Sequence, residues 1–523
     1  MFALLSLPHE LLIQILANLD AMALTRTCMT CKALRDVLRS SSELLCILQL
    51  HLDGLCDAGT STGCSDLLIM VLERRRAWFE FGCTKSTKYE TKHNCLAYEL
   101  TGGVFATTDG DCLELKWLPT RNRTHGQQTI YSAGVSMRDL AMDPTQDLIV
   151  FLEDDAQIGQ TLTLHIRTIS TNAIHPRARD SPLQCNLHGR GFVRNVCVEV
   201  VRDRLVLYFS VALQPIYSRV LVWDWTTSEL ILDSPKSSLP RAIPFDFALL
   251  DSKFFLTAHP LDSGLISLYQ LPRSGAGSGA ILLANLHLPS ISMGTTVARI
   301  DTHSGPLEAG PLPGVAFMEK DENRLHAFTI VYRHSGLMDP EGSQSVMSMD
   351  LFVHQRVFMK YCRSCTGVHR DILWDEWGPS NTRMLRPSSI PTHWQRYIHG
   401  QHVVYPLFSR PGVSYSVKML DFSLAAVLNA NGIDLTPSPS SSSTTSESAF
   451  GHVTLMPPST ISAMDEPYFL DIVETHLPCV TLERQFKASY AGYMVYENGV
   501  VGINIGDDEN LQLDVYALQL STG

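Results

Sequence analysis

No uncharged apolar run in the 523 residues reaches the roughly 18 that a membrane-crossing helix requires, so no membrane span is expected. Positive charge is also scarce: 41 lysines and arginines stand against 53 aspartates and glutamates, for a net charge of −12. That deficit speaks against broad binding to nucleic acid or anionic membranes, which draws on a basic excess. The one basic cluster, Arg74-Arg75-Arg76, falls inside a helical pattern. Glycine-rich phosphate loops are missing. There is no G-x-G-x-x-G and no Walker lysine, so nucleotide binding has no support. The first twenty residues lack a basic start and a cleavage signal and carry Pro8, Glu10 and Asp20, so no secretory peptide is expected. The single sequon, Asn122-Arg123-Thr124, is then expected to stay unmodified.

Cysteine is not lacking, but its 13 residues are odd in number and scattered, several within apolar helix or strand patterns (Cys28, Cys31, Cys197). That usage fits reduced, buried thiols in a cytoplasmic or nuclear protein better than a disulfide framework. With 45% hydrophobic and 18% charged residues, the chain has ordinary globular composition and length enough for a large core without staples.

The front of the chain is helical. Leu11, Leu12, Ile15, Leu16 and Leu19 recur on one side of a helix. Pro8 suits the first turn and Glu10 the positive end of the helix dipole. Asp20 offers a cap for a second helix carrying Leu24, Cys28 and Cys31, and Leu34, Val37 and Leu38 mark a third. Three helices in about forty residues cannot bury their apolar faces on one another alone. The next run, LLCILQLHLDG, reads as a strand or a short helix. Beyond a Gly/Ser/Thr loop, Ser65 is the expected cap of a linker helix with the stripe Leu67, Leu68, Val71, Leu72, Arg75 and Trp78.

From Cys83 onward the period becomes two, in runs such as CLELKWL, TLTLHIRT, RLVLYFS and RVLVWDW separated by turn residues. Comparable strands centre near Leu115, Leu164, Val222 and Leu268, a spacing close to the roughly 40–50 residues of a β-propeller blade with loop insertions. After Leu268 the repeat is obscured by Pro/Gly/Ser-rich insertions, one of them, near 435–449, expected to be disordered. The fold class expected is multidomain α+β: a small N-terminal three-helix unit (1–42), a linker with a helix (43–82) and a large all-β domain (83–523) of seven or eight blades.

The segment LPHELLIQILANLDAMALTRTCMTCKALRDVL resembles the F-box. The resemblance rests on Leu7-Pro8, Glu10-Leu11-Leu12, Ile15-Leu16, Leu19, Leu24, Cys28 and the Cys31-Lys32 pair, with Leu34 where the family commonly carries tryptophan. The remainder resembles a fungal group of F-box proteins with a divergent WD-like propeller, through MRDLAMDPTQDLIVFLED, RVLVWDWTTSELIL, FDFALLDSKFFLTAHP, HWQRYIHGQHVV and YAGYMVYENGVVGI. The resemblance implies a non-catalytic substrate-recognition subunit of a Skp–cullin–F-box ubiquitin ligase. The F-box would bind a Skp-family adaptor, and through it a cullin; the propeller would bind an unidentified protein target. The implied adaptor-binding residues are Leu7, Pro8, Leu11, Leu12, Ile15, Leu16, Leu19, Leu24 and Cys28, some of which must instead face the F-box's own core. The alternative is a propeller scaffold that binds the adaptor without supporting ubiquitination; a propeller hydrolase is a third reading, without a motif behind it.

The chemical motifs do not compete strongly. Gly59-Thr60-Ser61-Thr62-Gly63 matches a nucleophile elbow, but such an elbow needs a strand of a wound α/β sheet before it, and a flexible linker is the better reading. Cys362-x-x-Cys365 with His369 is half of a zinc spacing, with only His354 and His393 to complete it. Glu153-Asp154-Asp155 and Asp507-Asp508-Glu509 lack the alternating ligands of a calcium loop and read as solvated turns. Trp223-Asp224-Trp225 is expected to place both tryptophans on one face, packed between blades. No catalytic residue, metal or cofactor is expected.

Overall fold

In the computed structural model of the chain, the residues after the helical front form seven multi-stranded sheets, with two small two-stranded pairs beside them. Described are residues 4–81, 86–120, 128–153, 161–186, 192–212, 217–234, 239, 245–272, 279–312, 314–338, 344–364, 369–387, 396–410, 413–433, 453–461, 467–506 and 510–518. Blade 1 uses Ala97–Thr101, Val104–Thr108, Cys112–Trp117 and Gln128–Ser132. Blade 2 uses Met137–Asp143, Leu148–Glu153, Thr161–Thr168 and Leu183–Asn186. Blade 3 uses Phe192–Val201, Arg204–Ala212, Tyr217–Asp224 and Glu229–Asp233. Blade 4 uses Asp246–Leu249, Phe254–His259, Leu265–Gln270 and Ile281–His287, with Arg370–Ile372 added in parallel at its edge. Blade 5 uses Thr295–Ser304, Leu325–Met338, Gln344–His354 and Thr382–Leu385. Blade 6 uses Ile398–His399, His402–Arg410, Val413–Asp421 and Val480–Tyr490, with Val453–Leu455 outermost.

Blade 7 closes the ring. Gly492–Tyr496, Gly499–Ile505 and Asn510–Ala517 come from the end of the chain, and the fourth strand, Ser86–Asn94, comes from the start of the domain. Each ring interface has its own apolar cluster. Met494 and Val501 of blade 7 meet Leu100 and Phe105 of blade 1, and Ile398 and Leu420 of blade 6 meet Leu325 and Phe352 of blade 5. The period of two serves two interfaces at once. In blade 3, Leu205, Leu207 and Phe209 pack toward blade 2, while Val206, Val220 and Val222 pack toward blade 4. Trp223 and Trp225 share the face toward blade 2, and Asp224 turns away to accept from Arg204 at 2.9 Å.

The architecture is therefore a seven-bladed propeller. Leu115, Leu164, Val222 and Leu268, the centres of the sequence repeat, all lie on the third strands of their blades. The repeat fades after blade 4 because blades 5 and 6 carry long insertions, including helices Gln355–Ser364, Trp374–Asn381 and Leu424–Ala430. The expected insertion near 435–449 lies outside the described residues.

The front of the chain holds α1 (His9–Ala17), α2 (Ala21–Cys28), α3 (Lys32–Ser40), α4 (Ser42–Leu52) and α5 (Cys64–Phe79). Asp20 caps α2, accepting from the Ala23 N–H at 2.7 Å. The run LLCILQLHL, open between strand and helix on its pattern, is helical, and Ser41 caps it by accepting from the Leu44 N–H at 3.3 Å. α4 thus covers much of what three helices left open. The linker helix begins two residues earlier than its Ser65 cap implied: Gly63 holds the N-cap position and Ser65 lies within the first turn.

Candidate docking face and basal cavity

The helical front sorts its apolar residues into two sets. Leu12, Leu16, Leu24 and Cys28 are buried with Leu34, Val37 and Leu44, a core that owes nothing to the propeller. Leu7 and Leu19 are half-buried against that core. Leu11 and Ile15, one turn apart on α1, are each 44% exposed, and Pro8 lies open beside them. Leu4 (45%), Leu5 (50%), Met22 (49%) and Met29 (72%) extend the exposed apolar set. Those four were not singled out from the sequence: Leu4 and Leu5 precede α1, and Met22 and Met29 lie at the two ends of α2, outside its stripe. Scattered single apolar residues are ordinary on a surface; six of this size on one small unit are not.

The next elements fix that unit to the propeller. Arg75 of α5 reaches α4: its Nε donates to Asp53 Oδ1 at 2.8 Å, Nη1 to Gln49 Oε1 at 2.5 Å and Nη2 to the Gln49 carbonyl at 3.1 Å, all buried. Burial pushes the Asp53 carboxyl up, and the arginine charge works against it. The Asp53 carbonyl accepts from Gln401 Nε2 of a blade 6 turn at 3.0 Å. Strand Leu55–Asp57 pairs antiparallel with Phe317–Glu319, an insertion between the first two strands of blade 5. At the far end of α5, Trp78 stacks on His402 with centroids 4.3 Å apart, and Phe81 meets Phe486 edge-on. The basic cluster is thus mostly spent inside: Arg74 faces Glu319 at 3.6 Å, Arg75 is buried, and only Arg76 is on the surface, paired with Glu80 at 2.7 Å.

A cavity of about 130 Å³ lies where α5 and the blade 5 insertion meet the base of the ring. Its walls include Leu55, Met70, Leu312 and Phe317, and its charged lining includes Glu308, Glu319, Glu497 and His399. His399 lies 3.7 Å from Glu319. Gly400, at a φ of 54°, is needed here: a Cβ would collide with the Glu319 carboxylate. Burial, then Glu497, Asp143 and Glu319, push Glu308 well above the ordinary carboxylate range, and burial also raises Glu497. Inward of the cavity, Arg396 grips Glu99 with Nε and Nη2, both at 2.5 Å. The three glutamates come from an insertion and a tight turn far apart in sequence, so no spacing announced them.

The motifs weighed on sequence fall elsewhere. Ser61 is exposed on a loop after the short strand Leu55–Asp57, where no wound sheet supports an elbow. Cys362 is buried, His354 Nδ1 donates to the Asn323 carbonyl at 3.0 Å, and His369 faces Asp371 at 3.4 Å. Cys365, His393, Asp154-Asp155, Asp507-Asp508-Glu509 and the sequon lie outside the described residues. Among the described residues no group of three His, Cys, Asp or Glu is placed to hold a metal, and no helix is long and apolar enough to cross a membrane.

Residues 4–45 match the family model described as the F-box domain. No curated protein matches the chain. Among solved structures, the chain is similar to Kluyveromyces lactis Hsv2p at 9% identity, covering 62% of this chain and 91% of that one, with a TM-score of 0.29. The C-terminal WD40 domain of Sif2 is similar at 11% identity, 76% of this chain, 98% of that one and a TM-score of 0.31. The WD40 domain of SCAP from fission yeast follows at 10% identity, 82% and 94% coverage and a TM-score of 0.31. An F-box domain therefore precedes the seven-bladed propeller.

Proposed function

We propose that this chain is the substrate-recognition subunit of a Skp–cullin–F-box ubiquitin ligase, acting in the cytoplasm or nucleus. F-box domains generally bind Skp-family adaptors, and the propeller is the part left to receive a protein target. The observation that carries the reading is the exposed apolar set on the F-box, with Leu11 and Ile15 at its centre, beside a core already filled by Leu12, Leu16 and Leu24. Covering the exposed half of five such side chains is worth about 1 kcal/mol each, about 5 kcal/mol in all, before association costs. The adaptor-binding residues of this reading are Leu4, Leu5, Pro8, Leu11, Ile15 and Met22. Leu12, Leu16, Leu24 and Cys28 support them from below.

The chain performs no chemistry in this scheme. The adaptor links it to a cullin, the α4–α5 joint sets the angle of the ring, and proximity within the assembly brings a charged conjugating enzyme to the bound target. The test is co-purification with a Skp-family adaptor from the same organism. Leu11→Asp with Ile15→Asp places two charges in the docking face and is expected to abolish capture without shifting the propeller's melting transition. Undiminished capture by a folded double variant would refute the proposal.

A further inference from the structure

One carboxylate in the basal cavity lacks a hydrogen bond from any other residue. Both oxygens of Glu497 expose less than 1 Å² and accept no hydrogen bond from another residue. Glu497 sits on the turn after strand Gly492–Tyr496, and Glu308, from the blade 5 insertion, is close enough for the two to share their titration. Lys320 also lines the cavity, and the two arginines there are engaged elsewhere. Arg74 faces Glu319 and lies over the Phe317 ring; Arg324 donates to the carbonyls of Gly305 and Leu249 and to Ser304. A buried carboxylate without a hydrogen-bond partner is costly, and a ligand that meets it is one physical reason for a fold to keep it.

The cavity has the size and lining for one kind of visitor. It measures about 130 Å³. That is close to the roughly 150 Å³ of cavities that admit benzene, and so takes a side chain but not a folded element. Aliphatic and aromatic walls from Leu55, Met70, Leu312 and Phe317 lead to a charged end where Glu308, Glu319 and Glu497 stand with Arg74, Lys320 and His399. A long alkyl stem ending in a cation matches both parts. A bare metal ion does not, since the described carboxylates and histidines form no ligating group.

Resting on the reading of this chain as a target-receiving subunit, we infer that the basal cavity takes a single lysine or arginine side chain of the target protein, its stem on the apolar walls and its cation at Glu308 and Glu497. Burial, with Asp143 and Glu319 nearby, favours a proton on the pair, against His399, Arg74 and the N–H groups of Gly102 and Glu497. An entering cation displaces that proton. Binding therefore releases a proton to the buffer and tightens as the pH rises.

The test uses the full chain and three fluorescent pentapeptides, acetyl-Ala-Gly-X-Gly-Ala-amide, with X as lysine, arginine or norleucine. Titration at pH 6 and pH 8 is expected to show the better of the two cationic peptides binding at least about tenfold tighter than norleucine, and tighter at pH 8 than at pH 6. Glu497→Gln is expected to remove the preference, and Leu312→Trp to block all three peptides by filling the cavity. If Glu497→Gln does not fold, Leu312→Trp decides the location. Equal affinity for norleucine, no binding of either cationic peptide at about 1 mM, or full binding by both variants would overturn the inference. Adaptor capture measured on the same preparations separates the two failures: peptide binding can fail while capture persists, and capture can fail while the peptides bind.

Discussion

Arg75 ties the helical front together through two acceptors on α4 and the carboxylate of Asp53. Arg75→Met leaves Asp53 buried and unpaired, and is expected to cost about 3–5 kcal/mol in urea unfolding; adding Asp53→Leu should recover most of that loss. A cost under about 1 kcal/mol for the single change would show that the pair is not held in place. Glu497 gives a pH-dependent test. Its carboxyl, like that of Glu308, titrates above the ordinary 4.5 in the folded chain, so the native state keeps a proton that the unfolded chain gives up. Stability from that proton is complete below about pH 4.5 and is lost as the pH rises through the folded value. Glu497→Gln keeps a neutral group there at every pH. Its melting temperature is expected to gain on the wild type between pH 5 and pH 8 and to match it near pH 4. A constant offset across that range would mean the carboxyl is not protonated in the fold. At this scale the sequence was half legible. The stripe Leu11, Leu12, Ile15, Leu16, Leu19 predicts a helix, but a wide stripe does not say which edge is core. That was decided by where α4 packs.

Among the elements, the four blade strands centred at Leu115, Leu164, Val222 and Leu268 were readable because each is buried on both faces and keeps one position in its sheet. Blades 5 and 6 were not, because helices and hairpins inserted between their strands break the interval without breaking the sheet. α4 was ambiguous for a different reason: nearly every residue of LLCILQLHL is apolar, so periods of two and 3.6 fit alike. The linker helix was legible from its stripe, though its stacking partner, His402, lies over three hundred residues away. Trp78 is buried within the cluster that joins blades 6 and 7. Trp78→Ala is expected to cost about 3–5 kcal/mol and to raise hydrogen exchange in the last two turns of α5. Unchanged exchange there would mean that α4, not the ring, holds the helix.

For the whole molecule, the joint makes the F-box and the ring one body. Ala77, Trp78 and Phe81 share an apolar cluster with Val404, Val417 and Tyr493. A chain beginning at residue 83 removes that cover while keeping every ring strand. It is expected to remain a propeller by far-UV circular dichroism, to melt at a lower temperature than the full chain and to bind a hydrophobic dye that the full chain does not. An equal melting temperature would show that the ring is sufficient alone. The proposed target was not legible, because turns on a propeller carry no period, and the cavity's Glu308, Glu319 and Glu497 lie far apart in sequence.

The strand Ser86–Asn94 is made early and its partner Asn510–Ala517 last, about four hundred residues later. At roughly 5–20 residues per second on the ribosome, the early strand waits on the order of 20–80 s with its hydrogen-bonding edge vacant. The ring is thus a necklace whose hook is cast first and whose eye arrives at the end. During that interval a nascent-chain chaperone has its best opportunity to bind, while the F-box at the head is already free to fold.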